Sequence, residues 1–317
     1  MNGNLKAPFP YFGGKSKIAS LVWFHLGNPK RYIEPFFGSG AVLLNRPETN
    51  IKDEIVNDKD GFISNVWRSI QFSPQETSKW CDWPVNHADL CARRKTLIKN
   101  EDRLLENLIN DDMWHDPKIA GYWIWAASCW IGSGLTRIGA IPKLTSNDGI
   151  NSGQIPMLDH NNGITVANSD RIQSWIKSLA ERLRFVKVVC GDWTRVCGGN
   201  WQDSGGSVGI FFDPPYSDKA DRYSSIYNSD SLDIAHDVRK WCIERGKLAT
   251  HRIILAGYEG EHEELAQHGW VSKNWTANGG YANQGKNKGQ NNRHKEILWI
   301  SPHCVNIGNE LELLKSN

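Results

Sequence analysis

The run Ile210-Phe211-Phe212-Asp213-Pro214-Pro215-Tyr216 constrains the fold of this chain more than any other stretch. Three apolar residues before Asp213 read as the end of a buried strand, and two prolines cannot continue a ladder. The carboxylate of Asp213 and the ring of Tyr216 therefore emerge together at a sheet edge, where open α/β sheets place their ligands. A carboxylate acceptor, a stiff turn offering the Pro214 carbonyl and an aromatic face together suit a planar base that carries an amino group. A plain strand ending in a Pro-Pro turn has the same residues, and both readings stand at this point.

Length and charge bound the alternatives. A chain of 317 residues can bury a full core, as one large domain or one domain with an insertion. Its net charge of +2 excludes a uniformly basic polycation, so any nucleic-acid contact must come from local placement of charge. Seven cysteines without a CxxC pair imply a reduced, cytoplasmic protein. Ten histidines show neither HxxxH nor HExxH, so no metal is expected. The N-terminal stretch lacks a charged segment followed by an apolar one, and no run is long and apolar enough for a membrane span. The expectation is no membrane association and no obligate protein partner. Tryptophan is abundant, at fifteen, with Trp114, Trp123, Trp125 and Trp130 concentrated in one region, where core packing is the default role.

Near the start, Tyr11-Phe12-Gly13-Gly14-Lys15 is a glycine turn leading into a helical pattern with Ile18, Leu21, Val22 and Leu26, stopped by Gly27-Asn28-Pro29. A P-loop is excluded because its spacing requires glycine where Phe9 stands. What survives is a tight turn presenting Tyr11, Lys15 and backbone donors, suited to a carboxylate. A strand over Arg31–Glu34 then leads into Pro35-Phe36-Phe37-Gly38-Ser39-Gly40, a glycine loop opening a short helix over Ala41–Leu44. Leu43 occupies the third glycine position of the dinucleotide fingerprint, which argues against a nicotinamide site. The next strand, containing Ile55 and Val56, ends at Asp58, placed where an acid accepts from ribose hydroxyls. Strand, loop, helix, strand and acid in this order point to an adenosine-containing ligand.

Beyond Ser73-Pro74 the strand and helix alternation is suspended, and the sheet pattern resumes only at Phe185–Val189. The intervening segment reads as a mainly helical insertion, including a charged stretch with a Leu/Ile stripe over His87–Asn110 and an apolar, aromatic one over Lys118–Trp130. Its last part has turn residues at Asn147-Asp148-Gly149, and Arg137, Lys143, Asn147, Asn151 and Gln154 are residue types that read base edges. Ordinary solvated loops share that composition.

After a helix from about Ser169 with the stripe Ile172, Trp175, Ile176, Leu179 and Leu183, the strand ends in Gly191-Asp192-Trp193. Asp192 can accept from an adenine amino group with Trp193 alongside, or cap a helix. A helix reaching about Gly246 and a strand over Arg252–Leu255 restore the alternation. The stretch Lys273–Lys295 holds Lys273, Lys286, Lys288, Arg293 and Lys295 with no acid and many Gly and Asn residues, reading as a basic loop able to follow a phosphate backbone. A final apolar strand covers Glu296–Ile300.

Taken in order, the GGK turn, Glu34-Pro35-Phe36-Phe37-Gly38-Ser39-Gly40, Asp58, an insertion and Asp213-Pro214-Pro215-Tyr216 resemble the Dam-like, α-group adenine DNA methyltransferases of phages and bacteria. The resemblance covers nearly the whole chain. It implies a Rossmann-like α/β sheet with helices on both faces, binding S-adenosyl-L-methionine, and an inserted mainly helical target-recognition domain. The implied boundaries are 1–71 and 169–317 for the catalytic domain and 72–168 for the insertion. Implied cofactor contacts are Tyr11, Gly13, Lys15, Glu34, Phe37, Gly38, Gly40, Asp58, Asp192, Trp193 and Asp213. Implied catalytic residues are Asp213, Pro214 and Tyr216. Double-stranded DNA is the implied partner, met by Arg137, Lys143, Asn147, Lys286, Lys288 and Arg293, and Arg293 and Glu296 resemble the family's closing motif.

The chemistry that follows is direct methyl transfer to an exocyclic amine. An adenine amine is a poor nucleophile and is inaccessible in a duplex, so the base must be flipped out. Tyr216 would stack on it while Asp213 and the Pro214 carbonyl accept the two amino hydrogens. Alternatives are an enzyme acting on the cytosine amine or on RNA, and a catalytically idle relative that only grips DNA.

Overall fold

The computed structural model describes residues 5–11, 14–47, 53–130, 135–136, 169–203, 205–215, 234–275 and 296–308. Its strands are β1 (Arg31–Glu34), β2 (Asp53–Asp58), β3 (Val186–Cys190), β4 (Val208–Phe212), β5 (His251–Tyr258), β6 (Val271–Trp275) and β7 (Glu296–Ile300). They form a seven-stranded sheet in the order β3-β2-β1-β4-β5-β7-β6. β1 pairs in parallel with β2 and β4, and β4 in parallel with β5. β7 runs antiparallel to both β5 and β6. Every residue of β4 and of β7 is buried, as expected for strands covered on both faces. This is the α/β sheet flanked by helices that the resemblance implies.

Strand direction decides which residues meet. The parallel strands β1, β4 and β5 finish at one edge, with Glu34, Phe212 and Tyr258 as their last residues. Because β7 is reversed, its first residue, Glu296, lies opposite Tyr258 at that same edge, and Trp275 closes β6 opposite Glu296. The antiparallel pair thus returns an acid and an indole to the edge where Asp213 emerges.

The chain divides into two compact units, one of residues 15–57 and 193–317, the other of residues 1–14 and 58–192. In the first, α1 (Ala19–Leu26) buries Val22, Trp23 and Leu26 and packs on β4 and β5. It ends at Gly27, whose positive φ of 63° favours glycine, at the Gly-Asn-Pro stop in the sequence. α2 covers Ala41–Leu44, and the Trp23 indole donates to the Val42 carbonyl at 2.7 Å, tying α1 to the start of α2. Fully burying side chains such as Phe211 and Ile210 contributes about 1.5–3 kcal/mol each. Arg46 pairs with Glu54 at 2.5 Å and lies over the Trp23 ring at 4.7 Å, so this buried cation is both paired and stacked.

In the other unit α3 (Gly61–Phe72) is capped by Asp60, whose side chain accepts from Phe62 at 2.8 Å and Ile63 at 3.4 Å. The stripe Phe62, Ile63, Val66, Trp67 and Ile70 is buried, as its spacing requires. After α3 come α4 (Pro74–Cys81), α5 (His87–Asn110) and α6 (Pro117–Cys129), with α5 capped by Asn86 and α6 by Asp116. Pro74 starts a helix here, using the missing N–H at a first-turn position. α4 packs on α6 so closely that a Cβ at Gly121 would lie 2.4 Å from Trp80, and both pack with α3 or with α7 (Ser169–Leu183). Arg93 sits under three rings, 4.9 Å from Trp83, 4.4 Å from Tyr122 and 4.5 Å from Trp125. The tryptophan-rich region is thus used for packing, with Trp123 and Trp125 buried.

Three boundaries differ from the sequence reading. β3 begins at Val186 and leaves Phe185 66% exposed, since the residue before a buried strand position faces the other way. β5 extends past Leu255 to Tyr258 because Ala256, Gly257 and Tyr258 pair with β7. Lys273, assigned above to a basic loop, belongs instead to β6, held in register with Leu298. A polar, period-two edge strand has little hydrophobic signal of its own.

Candidate active site

The site is built on the edge where β1, β4, β5 and β6 end. Asp213 follows the fully buried β4, so its backbone is placed by the ladder to β1 and β5 while its side chain, 23% exposed, stands at the rim. Lys15 lies just ahead of α1, and its ammonium is 3.0 Å from Asp213 Oδ2 and 3.6 Å from Glu296 Oε2. The Lys15 side chain is only 4% exposed and its Nζ lies 5.7 Å from the centre of the Trp275 ring. A buried cation is tolerable because two carboxylates and an aromatic face surround it.

Glu34 ends β1 and is buried, accepting a 2.8 Å hydrogen bond from the Tyr32 hydroxyl. Burial, first, pushes the Glu34 carboxyl well above its ordinary 4.5, the Tyr32 hydrogen bond opposes this, and the charge of Asp213 adds to the rise. Tyr32 is itself pushed upward by burial and then by Glu34. The edge therefore collects Asp213 and Glu296 around the Lys15 ammonium, with Glu34, whose burial favours its neutral form, close enough to feel the charge of Asp213.

The glycine loop lies between β1 and α2. Gly38 has φ of 48° and Gly40 of 62°, and a Cβ at Gly40 would fall 2.5 Å from the Phe37 ring. Glycine is required at Gly40 on both counts. The Phe37 amide donates to the Asn57 carbonyl at 2.9 Å and the Gly40 amide to the Phe37 carbonyl at 2.7 Å, which closes the loop on itself and on β2. Asn57 also donates to the Pro35 carbonyl at 3.0 Å. Phe37 is buried, so its ring shapes the loop.

Trp193 is buried too. It meets Phe212 edge-on at 6.1 Å and Trp241 at 6.4 Å, Trp241 belonging to α9 (Ile234–Arg245), which follows the short α8 (Thr194–Cys197). Its ring therefore supports the strand that carries Asp213.

In the other unit, Asp58 ends β2 and its Oδ1 accepts from the Asp60 amide at 2.9 Å. The Gly191 amide donates to the Asp58 carbonyl at 3.0 Å, which brings the ends of β2 and β3 together and places exposed Asp192 next to that junction. Gly191 has φ of 145°, a turn that a side chain would strain. Tyr11 is 41% exposed with its ring edge-on to Phe9 at 6.4 Å. Phe9 packs in turn on Trp67 at 5.6 Å and Trp123 at 4.9 Å, anchoring the segment that presents Tyr11. Gly13, Tyr216, Arg137, Lys143, Asn147, Lys286, Lys288 and Arg293 lie outside the described residues.

The sequence reading assigned Lys15 to the cofactor and gave Glu296 no role at the site. The fold brings these two together with Asp213. The available signal was an acid opening the apolar strand Glu296–Ile300, since a carboxylate at a fully buried strand position requires a partner.

Residues 11–111 match the model of the D12 class N6 adenine-specific DNA methyltransferase family. That stretch contains the glycine turn, the glycine loop and Asp58, in agreement with the resemblance drawn from the motifs. Asp213 lies beyond it and reaches Lys15 only through the fold. No curated protein matches the chain.

Proposed function

We propose that this protein, whose residues 11–111 match the D12 class of N6 adenine-specific DNA methyltransferases, methylates the N6 amine of a flipped-out adenine at Asp213-Pro214-Pro215-Tyr216. The observation that carries this assignment is the 3.0 Å contact between Lys15, inside the matched stretch, and Asp213, outside it. A glycine turn and a strand-end acid distant in sequence act on one site, as a methyl-transfer centre of this class requires.

The residues present fit S-adenosyl-L-methionine. The loop Phe37–Gly40 leaves no room for a Cβ at Gly40, and a strand-end acid, Asp58, follows on β2. The surplus of carboxyl groups among the described residues of the edge suits a ligand carrying positive charge. When bound, the cofactor supplies an electrophilic sulfonium methyl group. We assign its adenosine side to Gly38 and Gly40 and the neighbourhood of its reactive centre to Lys15, Glu34 and Asp213, with Tyr11, Asp58 and Asp192 as the further contacts that the resemblance implies.

Asp213 acts as a hydrogen-bond acceptor for one amino hydrogen of the target, and the Pro214 carbonyl for the other. Both bonds concentrate electron density on the amine nitrogen and favour its pyramidal form, which exposes a lone pair. Tyr216 supplies a stacking face that replaces the neighbours lost on flipping, an unstacking that costs a few kcal/mol. Lys15 orients the Asp213 carboxylate by holding Oδ2. Rate enhancement comes from positioning and electrostatics, with no covalent enzyme intermediate. Segment 72–168 serves as target recognition, with Arg137, Lys143 and Asn147 toward base edges, and Lys286, Lys288 and Arg293 contact phosphates.

The test is transfer of labelled methyl from the cofactor to duplex DNA, with the product nucleoside identified. N6-methyladenine in DNA is the expected outcome, and transfer confined to RNA or to cytosine would defeat the proposal. Lys286→Ala with Lys288→Ala should weaken DNA binding and reduce the slope of log K against log salt by about 2.

A further inference from the structure

We infer that Glu296 is a positioning residue of the methyl-transfer site, acting through Lys15 on the charge that Asp213 presents to its substrate. This rests on the function proposed above.

Three observations support it. Lys15 Nζ is shared, at 3.0 Å from Asp213 Oδ2 and 3.6 Å from Glu296 Oε2, with the Lys15 side chain 4% and the Glu296 side chain 7% exposed. The Glu296 backbone is fixed from two sides, being in register with Tyr258 of β5 and with Trp275 of β6. The Trp275 ring, from that same β6 and β7 pair, lies 5.7 Å from the ammonium. A lysine on a flexible four-carbon stem is thus held by groups that the sheet itself immobilises.

The consequence concerns charge. An acid that must accept a hydrogen from an amine is weakened as an acceptor when an ammonium is wholly its own partner. At 3.6 Å the Glu296 contact is longer than a good hydrogen bond but well inside Coulombic range, and solvent screens it little at such burial. Glu296 draws the ammonium away from exclusive pairing with Asp213, so that two carboxylates share this cation. Glu34, held toward its protonated form by burial, adds little further charge beside Asp213. Asp213 therefore keeps negative charge available for the amine while Lys15 fixes its orientation.

A merely structural Glu296 would compensate a buried lysine and nothing more. Steady-state kinetics on wild type, E296Q, E296D, K15M and the K15M/E296Q double variant separate the two roles. The positioning role predicts that E296Q folds, as judged by circular dichroism, and loses roughly tenfold or more in kcat. Its KM for DNA and for S-adenosyl-L-methionine should stay within about threefold of wild type. E296D keeps the charge and should recover part of the rate. The double variant should be no slower than K15M, since the inferred route from Glu296 to Asp213 runs through Lys15. An E296Q enzyme with wild-type kcat per folded molecule, or a double variant with multiplicative losses, would overturn the inference while leaving the proposed function intact. Should E296Q alone fail to fold, the K15M/E296Q double variant, which removes both buried charges, carries the decision: a kcat equal to that of K15M supports positioning, and a further loss overturns it. A wild-type enzyme that transfers no methyl to any DNA would overturn both.

Discussion

The two ends of the same strands handle charge in opposite ways. Where the strands begin, Arg31 of β1 pairs with Asp53 of β2 at 2.5 Å, stacks 5.0 Å from Trp201 and donates to the Trp201 carbonyl at 3.0 Å. Asp203 there is matched by Arg245 at 3.0 Å and approached by His251 at 3.3 Å. The Arg31 and Arg245 pairs are partly solvated, with Arg31 at 18% and Asp53 at 28%, and in each an acid meets a base. Where the strands finish, the Lys15 ammonium faces both Asp213 and Glu296, beside the buried Glu34. Balanced, partly solvated pairs add modestly to stability, whereas a largely buried lysine shared by two carboxylates is a costlier arrangement of the kind found at functional sites. The contrast supports the proposal of a functional site at the finishing edge.

Substitutions at the two ends should separate accordingly. The largest effect is expected for Asp213→Asn, which keeps shape and removes the charged acceptor. Its kcat should fall by about 10³-fold or more, read by single-turnover methyl transfer, and near-normal turnover would remove the acceptor role. Lys15→Met should come next, with roughly 10²-fold lost in kcat, because Asp213 loses the group that orients it.

Glu34→Gln addresses stability rather than rate. The folded-state value of Glu34 is raised above its ordinary 4.5, so its contribution to stability is fully present below about pH 4.5. It is lost as pH rises toward the raised value, at up to about 1.4 kcal/mol per pH unit, because the unfolded chain ionises first. The amide of the Glu34→Gln side chain does not titrate, so urea denaturation of this variant between about pH 5 and 8 should show a shallower decline than wild type. An unchanged pH slope would contradict the buried, protonated state. The smallest effect is expected for Arg31→Met at the starting edge, about 1 kcal/mol of stability, with kcat within roughly twofold of wild type. A large rate loss there would break the comparison.

His262 gives a contrasting acid-side effect. Burial, first, and then the charge of Arg239 lower it to about 3, so the folded protein keeps it neutral. The unfolded chain takes up a proton below its ordinary 6.5, and stability therefore falls as pH drops from about 6.5 toward 3.

Local chemistry wrote much of the fold into the sequence. β1 over Arg31–Glu34, α2 over Ala41–Leu44, α5 over His87–Asn110 and β7 over Glu296–Ile300 lie where periodicity and turn residues place them. Caps and stops explain this: Asp60 and Asn86 accept the free amides of helix starts, and Gly27 takes a positive φ where α1 stops. Such signals act over a few residues and need no partner from elsewhere. β6 was not legible, because the alternation of Val271, Lys273 and Trp275 makes sense only beside β7.

The sequence by itself determined that Asp213 stands at the end of a buried strand and that a glycine loop joins β1 to α2. Those follow from proline, glycine and hydrophobic periodicity, which operate along the chain. Only the tertiary structure decided that one ammonium is shared by Asp213 and Glu296. That sharing arises because β7 runs against β5 and so delivers its first residue to the edge where the parallel strands end. Strand direction is a property of long-range pairing, and no local pattern in the sequence encodes it.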